Sequence, residues 1–308
     1  MLSRIAESMF WIGRYLERAD GTSRILDVYV QLLLEDPWVD EDWACRSLLS
    51  IMGSPAPEGP VTRNDVIDRL GIDRSQPSSI ASSLWAAREN ARRARETVSV
   101  DLWECLNTTT AQIPAQVIPS RVHSFFRWTH DRVALAVGIS DSVMSRSESW
   151  HFFTLGRSLE RADMTARLLA THSLDAAGGA SWTTILRSCG AYEGYLRAYR
   201  GAPARRHAAQ FLLVDDTFPR SVLFSLARAR ECVRSLDHGS ARGTAGGRAD
   251  LELGRAMSGL EYRPVDEIVA DLAASMTAVR TATSAVSEAV AERYFPTQAI
   301  PTWVGERS

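Results

Sequence analysis

The chain has 308 residues, of which 45% are hydrophobic, and its 35 basic and 37 acidic residues give a formal net charge of −2. A chain of this size buries a substantial core, and its balanced charge argues against nucleic acid or an anionic membrane surface as the main partner. All of the basic residues are arginine, which excludes catalysis by a Schiff-base lysine, a phosphate-loop lysine or a kinase-type lysine.

The N-terminal stretch 1–20 carries charges throughout and has no long apolar run. We therefore expect neither a signal peptide nor a membrane span there, and we expect a cytoplasmic location. The cysteines stand alone at 45, 105, 189 and 232, without a CxxC pair. This pattern indicates neither a zinc site nor a disulfide framework.

The octapeptide GRYLERAD at 13–20 returns as GRSLERAD at 156–163. A shift of nearly the same size matches PSSIASSLWAARENAR at 77–92 with PRSVLFSLARARECVR at 219–234. Two matched segments in one order predict a duplicated unit. We place the two repeats at 1–142 and 143–308 and expect them to pack together as one globular unit.

Apolar residues recur at helical spacing in both copies. The stripe of the first copy comprises Met9, Ile12, Leu16, Ala19, Ser23 and Leu26, and that of the second comprises Phe152, Leu155, Leu159, Ala162, Ala166 and Leu169. Pro77 and Pro219 are helix-start signals. The stretch 264–294 is also helical in pattern, with 121–137 as its counterpart. Stretches rich in glycine, proline or small residues predict loops at 53–62, 113–120, 174–181 and 237–250. We predict an all-α helical bundle built from two pseudo-symmetric repeats of about six helices each.

A polar line runs beside each apolar stripe. In the first copy it contains Gly13, Glu17, Asp20 and Arg24. A glycine inside a helix costs about 1 kcal/mol relative to alanine, so its presence in both copies predicts that a backbone or a ligand approaches closely there. Within the helix, Arg14 is expected to pair with Glu17, and Asp20 with Arg24.

The polar lines have two main interpretations. The favoured one is a salt-bridge network that locks the two halves together, and the other is a polar pocket near the pseudo-twofold axis that binds a small charged ligand. A face for a partner protein is the remaining alternative. No residue is assigned a catalytic role. The candidate network or binding residues are Arg14, Glu17, Arg18, Asp20, Arg24, Arg157, Glu160, Arg161, Asp163, Arg167, Arg88, Glu89, Arg230 and Glu231.

Metal and cofactor signals are weak. Glu148 and His151 form one Glu-x-x-His spacing, but Ile5 and Ser8 occupy the matched positions of the first copy, so the repeat does not carry it. The sequence contains no G-x-S-x-G motif, and no cysteine has a nucleophile signature beside it. We predict no bound metal and no cofactor.

The segments FWIGRYLERADGTSRIL at 10–26 and FFTLGRSLERADMTARLL at 152–169, with ARENAR at 87–92 between them, resemble the alpha-E family of bacterial α-helical proteins. The recurring Glu-Arg motif of that family corresponds here to Glu17–Arg18 and Glu160–Arg161. The resemblance implies two partners, a circularly permuted ATP-grasp protein and a transglutaminase-like protein.

Three hypotheses on function follow. The favoured one is a non-catalytic accessory or binding subunit of an ATP-grasp-type system that forms amide (peptide) bonds. The second is an enzyme, a transferase or hydrolase of peptide modification, that uses the paired carboxylates Glu17 and Glu160 together with Arg18 and Arg161. In this hypothesis the two carboxylates act as acid and base. The third is a structural oligomerising module that forms a homo-oligomer.

Overall fold

The computed structural model of the protein describes residues 1–35, 39–172, 181–238 and 247–295. Within these ranges every regular element is helical and no β-strand occurs, which confirms the all-α prediction. The α-helices are α1 (Ser3–Glu35), α2 (Glu41–Ile51), α3 (Arg63–Ile67), α4 (Ile80–Arg93), α5 (Val100–Ala111), α6 (Val122–Val143), α7 (Glu148–His172), α8 (Trp182–Ser188), α9 (Tyr192–Tyr199), α10 (Arg205–Val214), α11 (Val222–His238), α12 (Arg248–Glu261), α13 (Val265–Ala270) and α14 (Leu272–Tyr294). A π-helical turn (Asp68–Ile72) continues α3, and a 3-10 turn (Pro119–Arg121) precedes α6.

Helices α1 and α7 form the centre of the bundle. They pack against each other along their length; α1 also packs against α4 and α6, and α7 also packs against α11 and α14. Both predicted apolar stripes are buried in the core, since no residue of either stripe is more than 2% exposed. Because each central helix has neighbours on several sides, the acidic residues of its polar line are also buried, as Glu17, Asp20, Glu160 and Asp163 show.

The outer helices form layers on either side of this central pair. Helix α5 packs against α4 and α6, and α12 packs against α11 and α14. Helices α6 and α14 bury residues at the same spacing. The matching positions are Val122, Phe126 and Ala136 on α6 and Leu272, Met276 and Val286 on α14. In the described part of the chain, six α-helices precede α7 and a run of eight begins with it. The prediction of about six helices in each repeat is therefore not confirmed.

Serine side chains start the two matched helices. The hydroxyl of Ser79 accepts a hydrogen bond from the backbone N–H of Ser82 at 3.0 Å, and that of Ser221 accepts one from Phe224 at 3.0 Å. Such N-caps satisfy donors that have no partner within the helix. Pro77 and Pro219 stand two residues before these caps.

The stretch 264–294 is helical, as predicted, and consists of two helices. Asp271 has non-helical backbone angles (φ −128°, ψ 59°) and separates α13 from α14, which it caps through its side chain. Of the predicted loops, 53–62 joins α2 to α3 and 113–118 leads to the turn before α6. Residues 174–180 and 239–246 of the other two lie outside the described residues, and 248–250 belong to α12.

Candidate functional site

The central helices cross where each carries a glycine. A Cβ atom built on Gly13 would lie 2.1 Å from the carbonyl oxygen of Phe153, and one built on Gly156 would lie 2.1 Å from the carbonyl oxygen of Phe10. Each glycine therefore faces the backbone of the opposite helix. This close approach explains why glycine occupies both positions in spite of its low helix propensity.

One helical turn beyond its glycine, each helix carries a buried glutamate. Glu160 of α7 accepts hydrogen bonds from two arginines of α1. Arg14 Nε lies 2.5 Å from Glu160 Oε2, and Arg18 binds both carboxylate oxygens, with Nε 2.6 Å from Oε1 and Nη2 3.0 Å from Oε2. A carboxylate held by two guanidinium groups has its charge and its lone pairs satisfied without water.

Glu17 of α1 is held in a similar way from the other side. Arg161 of α7 donates two hydrogen bonds to it, with Nε and Nη2 each 2.7 Å from a carboxylate oxygen. The arginine of each Glu-Arg pair thus binds the glutamate of the other pair. The predicted contact of Arg14 with Glu17 within α1 is wrong, because Arg14 reaches across the crossing to Glu160 instead.

The two sides of the crossing differ at one arginine. Arg157 occupies the position that matches Arg14, yet its Nε lies 3.9 Å from Glu17 Oε2, beyond hydrogen-bond distance. The second cation on Glu17 is Arg220, whose Nη1 lies 2.9 Å from Glu17 Oε1. Arg220 belongs to the segment before α11, and the matched residue of the first copy is Ser78.

A further turn along each helix, an aspartate pairs with an arginine of its own helix, as predicted for Asp20 and Arg24. Arg24 Nε lies 3.0 Å from Asp20 Oδ2, and Arg167 Nε lies 2.6 Å from Asp163 Oδ2. Asp20 also binds Arg220 and lies within hydrogen-bond distance of His130 of α6, whose Nδ1 is 2.7 Å from Asp20 Oδ1. Arg220 therefore connects Glu17 to Asp20 in one group of contacts, and the contacts of Glu160 and of Asp163 lie beside it on the same two helices.

A model of the Alpha-E family, described as "a predicted alpha-helical domain with a conserved ER motif", matches residues 1–295. The chain belongs to the Alpha-E family. It is similar to the uncharacterized protein Mb2597 of Mycobacterium bovis and the uncharacterized protein Rv2567 of Mycobacterium tuberculosis, with 24% identity over 262 residues in each case. The alignment covers 76% of this chain but 30% of each relative, so the Alpha-E chain spans a minor part of the length of these curated proteins. No solved structure matches the chain.

The buried carboxylates of the Alpha-E chain are held in the ionised form. Burial by itself raises the pKa of Glu160, but the positive charges of Arg14 and Arg18 outweigh it and lower that pKa to about 2. For Glu17, burial is likewise outweighed by Arg161 and Arg220, and the net pKa is lowered. Neither glutamate is therefore available as a proton donor near neutral pH.

The predicted residues outside the central helices lie apart from these contacts. Arg88 pairs with Glu89 and donates to Asn107 of α5 at 3.1 Å. Arg230 binds Asp250 of α12 at 2.8 Å, and Glu231 pairs with Arg228. Arg88 and Arg230 thus join neighbouring helices, whereas Glu89 and Glu231 pair with arginines of their own helix, and all four lie apart from the central contacts.

Sequence reasoning missed several members of the network. The sequence does contain a signal for Arg220: within the two matched segments, this arginine stands where the first copy has the uncharged Ser78. Two glycines, Gly53 and Gly190, also lie against arginines of the central helices. Both have positive φ at the C-terminal ends of α2 and α8, and they face Arg167 and Arg24, respectively. Each arginine thus meets the C-terminal end of a helix, where the exposed carbonyl groups favour a positive charge.

The Glu-x-x-His spacing is not part of a metal centre in the described part of the chain. Glu148 accepts a hydrogen bond from the amino group of Met1 at 2.9 Å. Among the described residues no group of three histidine, cysteine or acidic side chains is placed to hold a metal ion. Within the described ranges, no helix has the length and apolar character needed to span a bilayer.

Proposed function

We propose that this Alpha-E chain is a non-catalytic accessory or binding subunit of an ATP-grasp-type system that forms amide bonds. The observation that carries the proposal is the reciprocal burial of Glu17 and Glu160, each of which accepts hydrogen bonds from the Glu-Arg pair of the opposite helix. A network of this kind fixes the relative position of two helices. It provides a rigid scaffold on which partner surfaces can be presented.

The protonation states of the two glutamates argue against the alternative of acid–base catalysis. A general acid that operates near neutral pH needs a pKa raised toward 7. The pKa of Glu17 and that of Glu160 are both lowered, because arginines surround each carboxylate. The two groups also lack the difference in environment that would make one an acid and the other a base.

The scaffold that we propose consists of two pseudo-symmetric repeats. Its support is the order of helix contacts: α1 packs on α4 and α6 as α7 packs on α11 and α14, and α5 bridges its neighbours as α12 does. The reciprocal contacts of Gly13 and Gly156 support an approximate twofold axis at the crossing of the central helices. We propose that the Glu-Arg pairs lock the two repeats together across this axis.

The proposed partners are a circularly permuted ATP-grasp protein and a transglutaminase-like protein. They are the partners that the resemblance to the alpha-E family implies. The relatives from Mycobacterium lend support, since the matched segment covers only 30% of each and is joined there to further polypeptide. A domain that accompanies other domains on one chain is well suited to an accessory role.

We place the partner surface on α4 and α5, where tryptophans and arginines lie together. Trp85 is 40% exposed, and the guanidinium carbon of Arg74 lies 4.7 Å from its ring centroid. Trp103 of α5 is flanked by Arg88 at 5.3 Å and Arg95 at 5.7 Å. Exposed tryptophan and arginine are the residue types that most often dominate the binding energy of protein interfaces.

Co-purification with the ATP-grasp protein tests the proposal, and titration calorimetry measures the affinity. We expect a complex at micromolar concentration and expect Trp85→Ala to weaken it at least about tenfold. Trp43→Ala is the matched control, because Trp43 on α2 is 43% exposed and lies outside the proposed surface. Failure to form any complex would contradict the accessory role. Equal affinities of the two variants would contradict the surface assigned to it.

Light scattering on the chain alone tests the structural alternative. A homo-oligomer that ignores the ATP-grasp protein would favour an oligomerising module over an accessory subunit.

A further inference from the structure

A cavity of about 160 Å³ lies beside the central crossing, between α7 and α11. Its lining includes Trp150, Thr154, Arg157, Ser158, Ser225 and Arg228, and the carboxylate of Asp141 also borders it. The space is large enough for several water molecules or for one small anion. Arg161, which donates its hydrogen bonds to Glu17, also lines the cavity, so the cavity borders the contacts that hold Glu17.

Three residues of the lining carry buried polar atoms without a hydrogen-bond partner in the described structure. They are the indole nitrogen of Trp150, the hydroxyl of Thr154 and Nε of Arg157. Trp150 and Thr154 are each 7% exposed. Buried donors normally have partners, because an unsatisfied one costs the free energy of its lost hydration. Their gathering around one cavity therefore points to a ligand that accepts hydrogen bonds.

The charge of Arg157 specifies the kind of acceptor. Its nearest carboxylate is Glu17, at 3.9 Å, and the hydrogen bonds of that group are taken by Arg161 and Arg220. Burial lowers the pKa of the Arg157 guanidinium, because the charge of Glu17 does not fully offset the loss of solvent. Arg228, by contrast, already pairs with Glu231. Arg157 is thus a buried cation with donor capacity to spare.

In the first copy of the repeat, large aromatic side chains occupy the positions that match the lining of this cavity. A shift of 143 residues places Thr154 on Trp11 and Ser158 on Tyr15. The rings of Trp11 and Tyr15 stack at a centroid distance of 5.4 Å, and the matched arginine, Arg14, is bound to Glu160 and Ser287. The second copy has small hydroxyl side chains in place of these rings, which leaves both the room and the donors.

We propose that this cavity binds a small oxyanion, the phosphate or carboxylate group of a ligand, through Arg157, Trp150 and Thr154. Guanidinium, indole and hydroxyl groups are donors that suit the oxygens of either group. The second half of the chain would then hold a ligand that the first half cannot accommodate. The inference stands independently of the accessory role and of the partner surface on α4 and α5.

An NMR titration tests the site directly. Trp150→Phe removes one indole N–H signal and so identifies the resonance of Trp150 in the wild-type spectrum. Inorganic phosphate and acetate are then added separately at constant ionic strength. We expect the Trp150 signal to move in a saturable way with at least one of them. Movement with phosphate alone indicates a phosphoryl ligand and movement with acetate alone a carboxylate ligand, and either result supports an oxyanion site.

Three variants decide whether the predicted donors are responsible. Arg157→Gln and Thr154→Val should each raise the dissociation constant at least about tenfold, since each removes a hydrogen bond to a charged group. Thr154→Val keeps the shape of the side chain and removes a hydroxyl that lacks a partner, so the unliganded protein should unfold at an unchanged or higher temperature. Arg93→Gln is the control, because it removes the same charge from an exposed position on α4.

Two results would overturn the proposal. One is an indole signal of Trp150 that responds to neither anion at millimolar concentrations. The other is a response of the same midpoint in Thr154→Val and in the wild type.

Discussion

The glycine crossing makes a sharp prediction about stability. Alanine at position 13 puts a Cβ atom 2.1 Å from the carbonyl oxygen of Phe153 and 3.1 Å from the backbone nitrogen of Arg157. The first distance is more than 1 Å shorter than an ordinary van der Waals contact. Because both obstacles are backbone atoms, no rotamer change relieves the clash. Helices α1 and α7 must move apart instead.

The cost follows from two opposing contributions. Overpacking in a well-packed core typically costs about 1–3 kcal/mol and occasionally more. Separation of the helices also stretches the bonds from Arg161 to Glu17 one turn away, so we place Gly13→Ala at the upper end. The helix propensity of alanine returns about 1 kcal/mol. The net loss in the free energy of unfolding should therefore be about 2 kcal/mol or more.

Urea denaturation followed by far-UV circular dichroism measures this loss. Gly138→Ala is the matched control, because Gly138 lies within α6 and a Cβ atom there would meet nothing within 4 Å. That variant should be stabilised by about 0.5–1 kcal/mol through helix propensity alone. A Gly13→Ala variant that is as stable as the wild type, or as stable as Gly138→Ala, would refute the reasoning.

The remaining predictions concern the buried charges and thiols. Glu160→Gln leaves Arg14 and Arg18 without their carboxylate and should lower the free energy of unfolding by about 3 kcal/mol, as urea denaturation can measure. The pKa of Glu160 is lowered from an ordinary 4.5 to about 2, so its contribution of about 3 kcal/mol is complete above pH 4.5 and is lost as the pH falls toward 2. The difference between wild type and Glu160→Gln should therefore shrink over that interval, and a difference that stays constant with pH would contradict the lowered pKa. All four cysteines are buried, and burial raises the pKa of Cys45, Cys189 and Cys232 to about 12. A colorimetric thiol reagent should therefore detect four thiols only after denaturation, and rapid labelling of the native protein would be evidence against the core described above.

Much of the helical architecture was readable from local pattern. The stripe from Met9 to Leu26 and its counterpart from Phe152 to Leu169 are buried as their spacing indicated. Hydrophobic periodicity succeeds here because it reports which face of a helix meets the core, and that information is contained in a few consecutive turns. The break at Asp271 has no signal in this pattern, because helical pattern continues on both sides of it.

The polar network was readable only in part. The contact of Asp20 with Arg24 spans four residues of one helix, so spacing alone predicted it, and Asp163 and Arg167 make the same contact in the second copy. The same argument failed for Arg14, which binds Glu160 rather than Glu17. A guanidinium group selects the carboxylate with the better geometry, and the carboxylate on the neighbouring helix is visible only in three dimensions.

The sequence by itself determined that the protein is helical, that a polar motif occurs twice, and that each copy has a glycine where something approaches closely. Tertiary structure decided that each glycine packs against the backbone of the other copy and that each glutamate is bound by the arginine of the other Glu-Arg pair. It also decided that Arg220, rather than Arg157, is the second arginine hydrogen-bonded to Glu17. It also decided that Thr154 and Ser158 border a cavity whereas Trp11 and Tyr15 stack on each other. The physical reason is that periodicity is a property of neighbours along the chain, whereas charge pairing and cavity formation depend on groups brought together from distant parts of it.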